Sequence, residues 1–211
     1  MVGRLLNFLG LSLDVCPVCE ERERGDLPLC RECAGKFRCE KPAVKRFVPG
    51  VKSFKAFGYY RDSLAVAVRK LKFGSFKPLA EFLGQVIEHD LKEFMSQTKA
   101  DTLTYVPVHP LRKFTRGFDQ NEEILKGTGI SFKKLLIRKR YSKPLAGMKK
   151  SDRERNLLGA FAVEDPVYVR GRVILVFDDI LTSGTTSSEV ARTLLKSGAG
   201  EVHFYFLCIE Y

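Results

Sequence analysis

The sequence has no tryptophan, only three histidines, and no apolar run near the roughly twenty residues that a membrane-spanning helix needs. The last absence argues against membrane insertion. The scarcity of histidine leaves imidazole chemistry few places, and only His109 lies near a recognisable motif. No internal repeat and no low-complexity tract is present, which excludes solenoids and compositional linkers. The first fifteen residues carry Leu5, Leu6, Phe8, Leu9, Leu11 and Leu13, but no small-x-small cleavage site precedes Cys16, and Asp14 suits neither a signal peptide nor a lipoprotein site. They are expected to form an amphipathic helix packing on its own domain. What is present is the balance of a globular protein: 45% hydrophobic and 29% charged residues over 211 positions. The net charge of +11 is concentrated. Between Leu111 and Arg155, Lys and Arg outnumber Asp and Glu by 14 to 5, against 22 to 20 elsewhere. Such a field suits an anionic ligand, polyphosphate or nucleic acid, although solvated lysine runs are also common on surfaces.

Four of the six cysteines form two C-x-x-C pairs, Cys16–Cys19 and Cys30–Cys33, ten residues apart. Each turn can aim two thiolates at one metal ion, and two turns complete a tetrahedral zinc site. The intervening Glu20–Leu29 stretch is charged and contains Gly25 and Pro28, so a metal is what would order it. Disulfides are the competing reading, but nothing indicates secretion, and a cytoplasmic protein keeps its thiols reduced. With no histidine or acid at ligand spacing, zinc here is expected to be structural. Cys39 is a spare, either a free thiol or a substitute for one of the four ligands, and Cys208 sits in an apolar segment that reads as a buried strand.

Along the chain, Phe47-Val48, Pro49-Gly50 and Val51 to Tyr60 suggest a hairpin. Apolar spacing predicts helices over Ser63 to Phe73 and Leu79 to Phe94, a short strand over Thr102 to Val106, and a helix over Gly117 to Leu125. Short strands are expected at Phe132 to Ile137 and Phe161 to Val163, then a strand, helix and strand at Val173 to Phe177, Ser188 to Lys196 and Val202 to Ile209. Alternating strands and helices predict an α/β fold with a largely parallel sheet, whose ligands bind at the carboxyl ends of the strands.

The run Val173 to Ser187 is the most informative stretch. An apolar strand leads into Asp178-Asp179, then a turn of Thr182, Ser183, Gly184, Thr185 and Thr186 opens a helix. Adjacent carboxylates can accept hydrogen bonds from vicinal sugar hydroxyls, while turn amides and a helix N-terminus can hold a phosphate. A buried strand followed by a capped helix is the plainer reading, but it leaves two costly charges without a partner. The stretch Val106 to Gln120 follows another strand and presents Val108, His109, Arg112, Lys113 and Arg116. Guanidinium groups suit forked phosphate contacts, so a pyrophosphate facing the sugar site is the expectation. His109 reads better as a hydrogen-bonded loop residue than as a catalyst.

The acid-pair run resembles the phosphoribosyl-pyrophosphate (PRPP) motif of type I phosphoribosyltransferases, carried by Asp178, Asp179, Thr182, Ser183, Gly184 and Thr186. The stretch Val106, Pro107, His109, Pro110, Arg112, Arg116, Gly117, Phe118 and Gln120 is similar to the signature of the ComF family, with Asp119 where Asn is usual. The paired C-x-x-C motifs and Arg153, Asn156, Gly159, Ala160 and Phe161 extend that likeness over nearly the whole chain. The resemblance implies a type I phosphoribosyltransferase-like domain at 43–211 with a mobile basic loop at about 138–151, preceded at 1–42 by an N-terminal helix and a zinc knuckle with four cysteine ligands. It also implies a role in DNA uptake and natural transformation, with single-stranded DNA and a helicase-like competence partner. PRPP with Mg²⁺ would be bound by Asp178, Asp179, Thr182, Ser183, Gly184, Thr185, Thr186, Val108, His109, Arg112, Arg116 and Lys143.

If the chain transfers phosphoribosyl groups to a nitrogen acceptor, Asp178, Asp179, Arg112 and Arg116 would be the catalytic residues. One departure bears on that alternative. The family's mobile loop commonly carries Gln where this chain has Leu145. For DNA handling, Phe114, Phe118, Phe132 and Tyr141 are spaced through the basic segment, where stacking on bases competes with ordinary core packing.

Overall fold

The computed structural model describes residues 15–23, 27–37, 42–44, 46–74, 76–140 and 157–210. The N-terminal helix expectation, Cys39, Tyr141, Lys143, Leu145, Arg153 and Asn156 all lie outside the described residues.

Four parallel strands form the central sheet in the order β1-β6-β5-β2: β1 (Ser53–Tyr59), β2 (Thr102–Tyr105), β5 (Val173–Leu181) and β6 (Glu201–Ile209). A two-stranded antiparallel ribbon, β3 (Leu136–Arg138) with β4 (Phe161–Val163), lies apart from it. Among the described residues the helices are α1 (Arg31–Gly35), α2 (Asp62–Phe73), α3 (Lys77–Thr98), α4 (Pro110–Arg116), α5 (Gln120–Gly127), α6 (Pro166–Val169) and α7 (Thr185–Lys196). This is the expected mixed α/β architecture, a parallel sheet flanked by helices with a cysteine cluster near the N-terminus.

The two inner strands are apolar on both faces because helices cover both. Leu175, Phe177, Tyr205 and Leu207 face a core shared with Leu64, Val68 and Leu71 of α2 and Leu83 and Ile87 of α3. Ile174, Val176, Phe204 and Phe206 alternate to the other side and meet Val190, Ala191 and Leu194 of α7. The cysteine knuckle is part of the first core: Leu29 and Phe37 are buried in it, and Phe37 meets Phe82 of α3 edge to face at 6.2 Å.

Four differences from expectation have physical causes. Phe47 and Val48 form no hairpin. Gly50 closes a turn, Val51 N–H donates to the Val48 carbonyl, and β1 pairs in parallel with β6 instead. That pairing buries both faces of β1's inner neighbour, which a lone hairpin cannot do. The stretch after β2 is not all loop. Pro110 at the first helical position and His109 as cap open α4, Gly117 ends it, and the next helix starts at Gln120. The helix after the acid pair begins at Thr185, three residues early, because the Ser188 amide donates to the Gly184 carbonyl and closes a first turn there. Finally, β5 does not stop at the acids. It runs to Leu181 and keeps its register with β6, Asp178 opposite Phe206 and Leu181 opposite Ile209.

Candidate functional site

The acids stand where the sheet opens. Strand β2 pairs with β5 only as far as Tyr105 opposite Phe177, with one further bond from Val106 N–H to the Phe177 carbonyl. Beyond that point the chain turns away into α4, so β5 loses its neighbour on that edge as Asp178 and Asp179 begin. This is the carboxyl-end crevice where ligands of open α/β sheets bind.

Both acids are buried, and the chain itself supplies partners that the sequence reading did not foresee. Asn121 Nδ2 donates to Asp178 Oδ1 at 3.0 Å and to the Val106 carbonyl at 2.8 Å, and the Asp179 amide donates to the same Oδ1 at 2.9 Å. Gln120 Nε2 donates to Asp179 Oδ2 at 2.8 Å, and Lys72 of α2 forms an ion pair with Asp179 at 3.0 Å. The two charges are therefore not orphaned. Burial, then the neighbouring Asp179 charge, push Asp178 up to about 7. Lys72 has no motif to announce it; only the folding of α2 brings it here.

Helix α5 delivers Gln120 and Asn121 because α3 lets it approach closely. A Cβ on Gly84 would fall 2.2 Å from the Ile124 carbonyl oxygen, and one on Gly127 2.4 Å from the Glu81 carbonyl oxygen. Two glycines thus bring the backbones of α3 and α5 together. Asp119 caps α5, accepting from the Asn121 amide at 3.0 Å, and its Oδ2 accepts the Val108 N–H at 2.8 Å. The Asp at this position ties the loop after β2 to the helix, and it engages the Val108 amide within the protein. Its burial raises it above the usual carboxylate range.

On the other side of the pair, the turn Thr182–Thr186 leads into α7. Gly184 has φ +79 and serves as N-cap with no side-chain cap, and the Thr185 amide donates to Ser183 Oγ at 3.5 Å. A side chain there would also crowd Val48, whose Cγ2 lies 3.3 Å from the Cβ position. Ser183 Oγ and Thr185 Oγ1 are 2.9 Å apart, while Arg46 donates to the Thr182 carbonyl. Thr182 is exposed, Ser183 and Thr186 are half-buried, and Gly184 and Thr185 are buried.

The cations face the acids from α4 and β3. Half-buried Arg116 donates to Gln120 Oε1 at 2.7 Å, which links it through Gln120 to Asp179. Burial lowers Arg116, with Arg112 adding to the effect and Asp179 opposing it. Burial and then Arg112 likewise lower Arg138, at the end of β3, and Asp178 opposes them. Arg138 lies with its guanidinium 5.3 Å from the Phe161 ring. Three guanidinium groups thus share one region beside two carboxylates, a cluster of positive field that an anion would relieve. His109 Nδ1 accepts from the Leu111 amide at 3.2 Å as the cap of α4, and burial, then the Arg138 and Arg112 charges, lower its pKa. Phe118 is buried, and Phe132 packs against Tyr105 at 5.7 Å; both belong to the core, while Phe114 is 87% exposed.

The knuckle gathers all four expected cysteines. The sulfurs of Cys16, Cys19, Cys30 and Cys33 lie within 4.8 Å of one another, a set that could hold a metal ion. Burial alone would raise Cys19, but hydrogen bonds from the Glu21 and Arg22 backbone and from Cys16 and Cys30 outweigh it and bring the thiol down to about 7. Burial and the neighbouring sulfurs push Cys33 well above the ordinary thiol range. Four sulfurs this close fit the donor set of a soft divalent cation.

A parallel α/β sheet with an acid pair at its open edge and a four-cysteine cluster defines the class. No protein-family model matches the chain. It is similar over nearly its whole length to three proteins with related names. It is 26% identical to DNA utilization protein YhgH of Escherichia coli (strain K12), covering 92% of this chain and 89% of that protein. It is 24% identical to competence protein F of Haemophilus influenzae over the same shares, and 26% identical to competence protein ComFC of Streptococcus pneumoniae over 95% and 83%. The resemblance to ComF proteins carried by the motifs is borne out by these homologues. Among solved structures, a weak likeness (TM-score 0.39, 24% identity) joins 61% of the chain to 25% of a chain of the allosteric regulatory enzyme of purine biosynthesis. Among the described residues, no helix is long and apolar enough to cross a membrane.

Proposed function

We propose that this chain is a competence-type, DNA-utilization protein that binds PRPP at the Asp178-Asp179 crevice and handles single-stranded DNA during natural transformation. One observation carries the ligand reading: the acid pair lies where β2 leaves β5, between the uncapped turn of α7 and the arginines of α4. Asp178 and Asp179 accept from the ribose hydroxyls, and the amides and hydroxyls of Thr182, Ser183, Gly184, Thr185 and Thr186 hold the 5-phosphate. Arg112 and Arg116, with Lys143 from the basic loop, balance the pyrophosphate. Val108 and His109 shape that wall rather than donate to it, since the Val108 amide already serves Asp119. Mg²⁺ enters with PRPP as the counter-charge of its pyrophosphate.

The four-cysteine cluster holds a structural zinc ion, which requires the reducing cytoplasm. The knuckle at 1–42, beside the PRPP domain at 43–211, offers a surface for a helicase-like partner. The DNA role is supported by the names of the three relatives and by the basic segment at 111–155, with Phe114 exposed on α4 between Lys113 and Arg116.

Calorimetric titration with PRPP and Mg²⁺, beside single-strand binding at several salt concentrations, tests the proposal. Saturable PRPP binding and a DNA affinity that falls steeply with salt are expected. Absence of PRPP binding sinks the site, and absence of DNA binding at low salt sinks the DNA role. A second reading, transfer to a nitrogen acceptor, is favoured by the Arg116–Gln120–Asp179 chain. Pyrophosphate release with a panel of bases decides it.

A further inference from the structure

The carboxylate of Asp179 carries its counter-charge across both oxygens at once. Lys72 Nζ lies 3.0 Å from Oδ1 and 3.0 Å from Oδ2, with the lysine side chain 22% exposed and the aspartate side chain 9%. That central position, equidistant from both oxygens of one carboxylate, is where a chelated divalent cation would sit. An ammonium differs from a metal ion in what it leaves behind. It donates three hydrogen bonds and coordinates nothing, so it neutralises the acid without gathering further oxygen ligands. A carboxylate offers about four acceptor sites. Lys72 and Gln120 use three on Asp179, which leaves one on Oδ1. On Asp178, both bonds from the protein fall on Oδ1, so among the described residues Oδ2 keeps its acceptor capacity. Each acid thus keeps at least one open acceptor, which is what two vicinal hydroxyls require.

The lysine reaches this place because α2 is fixed at its back. Leu64, Val68 and Leu71 are buried in the core that also contains Leu29 and Phe37 of the knuckle, and Lys70 pairs with Glu20 of the knuckle at 2.5 Å. Gly74 then ends the helix, its amide on the Lys70 carbonyl. One helix therefore touches the cysteine module with Lys70 and the acid pair with Lys72, two residues on.

We propose that Lys72 is a positioning and specificity-determining residue of the acid pair, taking the place of a divalent cation on Asp179 so that the pair accepts sugar hydroxyls and does not bind metal directly. The inference rests on the reading of Asp178-Asp179 as the ribose acids. Among the described residues, the charged and polar groups facing the pair are Lys72 from α2, Arg116 from α4, Gln120 and Asn121 from α5, and Arg138 from β3.

The test compares zinc-loaded wild type with Lys72→Met, Lys72→Arg and the double variant Lys72→Met/Asp179→Asn. Two readouts are used: Mn²⁺ alone followed by electron paramagnetic resonance, and Mg²⁺–PRPP titrations from pH 6 to 9. The expected result is a new Mn²⁺ site in Lys72→Met that wild type and the double variant lack. PRPP affinity should fall on the order of tenfold in Lys72→Met and its pH profile should move to higher pH, with Lys72→Arg near wild type. Lys72→Met that gains no Mn²⁺ site and binds PRPP with the wild-type pH profile overturns the proposal and leaves the ribose reading intact. Wild type that binds no PRPP, beside a Lys72→Met that gains the Mn²⁺ site, overturns the ribose reading and upholds the cation role of Lys72.

Discussion

The acid pair and the cysteine cluster are both concentrations of ionisable groups taken out of water, and the chain treats them in opposite ways. At the acids, the fold brings an ammonium, two side-chain amides and a backbone amide to meet two carboxylates. At the cysteines, four sulfurs within 4.8 Å meet chiefly one another and nearby backbone, and burial raises Cys33. A buried charge needs a partner, and the partner can be built in or recruited. The first site has its charges answered from within the protein. The second could hold a metal ion, and a metal bound by such a site contributes to folding itself.

The largest effect should come from breaking the recruited partner. Because Leu29 and Phe37 share a core with α2 and α3, stripping the metal or making Cys30→Ser should unravel more than the knuckle. A loss of several kcal/mol, seen as a fall in Tm on the order of 10 °C with loss of bound zinc by atomic emission, is expected. An unchanged Tm after chelation would show that the knuckle is held by packing alone.

Next is the support of the built-in partners. Gly84→Ala forces α3 off α5 and moves Gln120 and Asn121 with it. It should cost about 3 kcal/mol by urea unfolding and weaken PRPP binding together with stability. Asp119→Ala removes the α5 cap and the Val108 tether at once, and about 2 kcal/mol is expected.

The acid pair also predicts a pH slope. The folded-state pKa of Asp178 is raised, from 3.8 to about 7, so the stability it contributes is full below pH 4 and is lost as pH rises through about 7. Asp178→Asn should flatten the change in urea midpoint between pH 5 and pH 8, while Asp101→Asn, at the far end of the sheet, should not. The smallest effect belongs to Phe114→Ala. With the ring 87% exposed, stability should change by less than about 0.5 kcal/mol while single-strand affinity falls. Phe118→Ala, buried four residues on, should do the reverse and cost about 3 kcal/mol.

Much of this was legible in the residues. Period-2 and period-3.6 patterns placed the strands and most helices, because burial on a sheet or helix face fixes which positions are apolar. The C-x-x-C spacing located the cysteine cluster, since a turn of that length sets the distance between two sulfurs. The order Asp178-Asp179 to Thr186 marked a strand, turn and helix from chain chemistry alone. The misplaced edges were those decided by distant segments. The hairpin around Pro49-Gly50 failed because β6, 150 residues away, was the better partner for β1. The acids fell within a strand because β6 continues beside β5 after β2 has left.

The sequence by itself determined the alternation of elements, the donor chemistry of the knuckle and the positions of the acids, all of which depend on residues near one another in the chain. Only the tertiary structure decided what answers the acids. Lys72 lies 107 positions from Asp179, and Gln120 lies 59. No local pattern can specify those pairings, because they depend on α2 being fixed against the knuckle and on two glycines letting α3 and α5 touch.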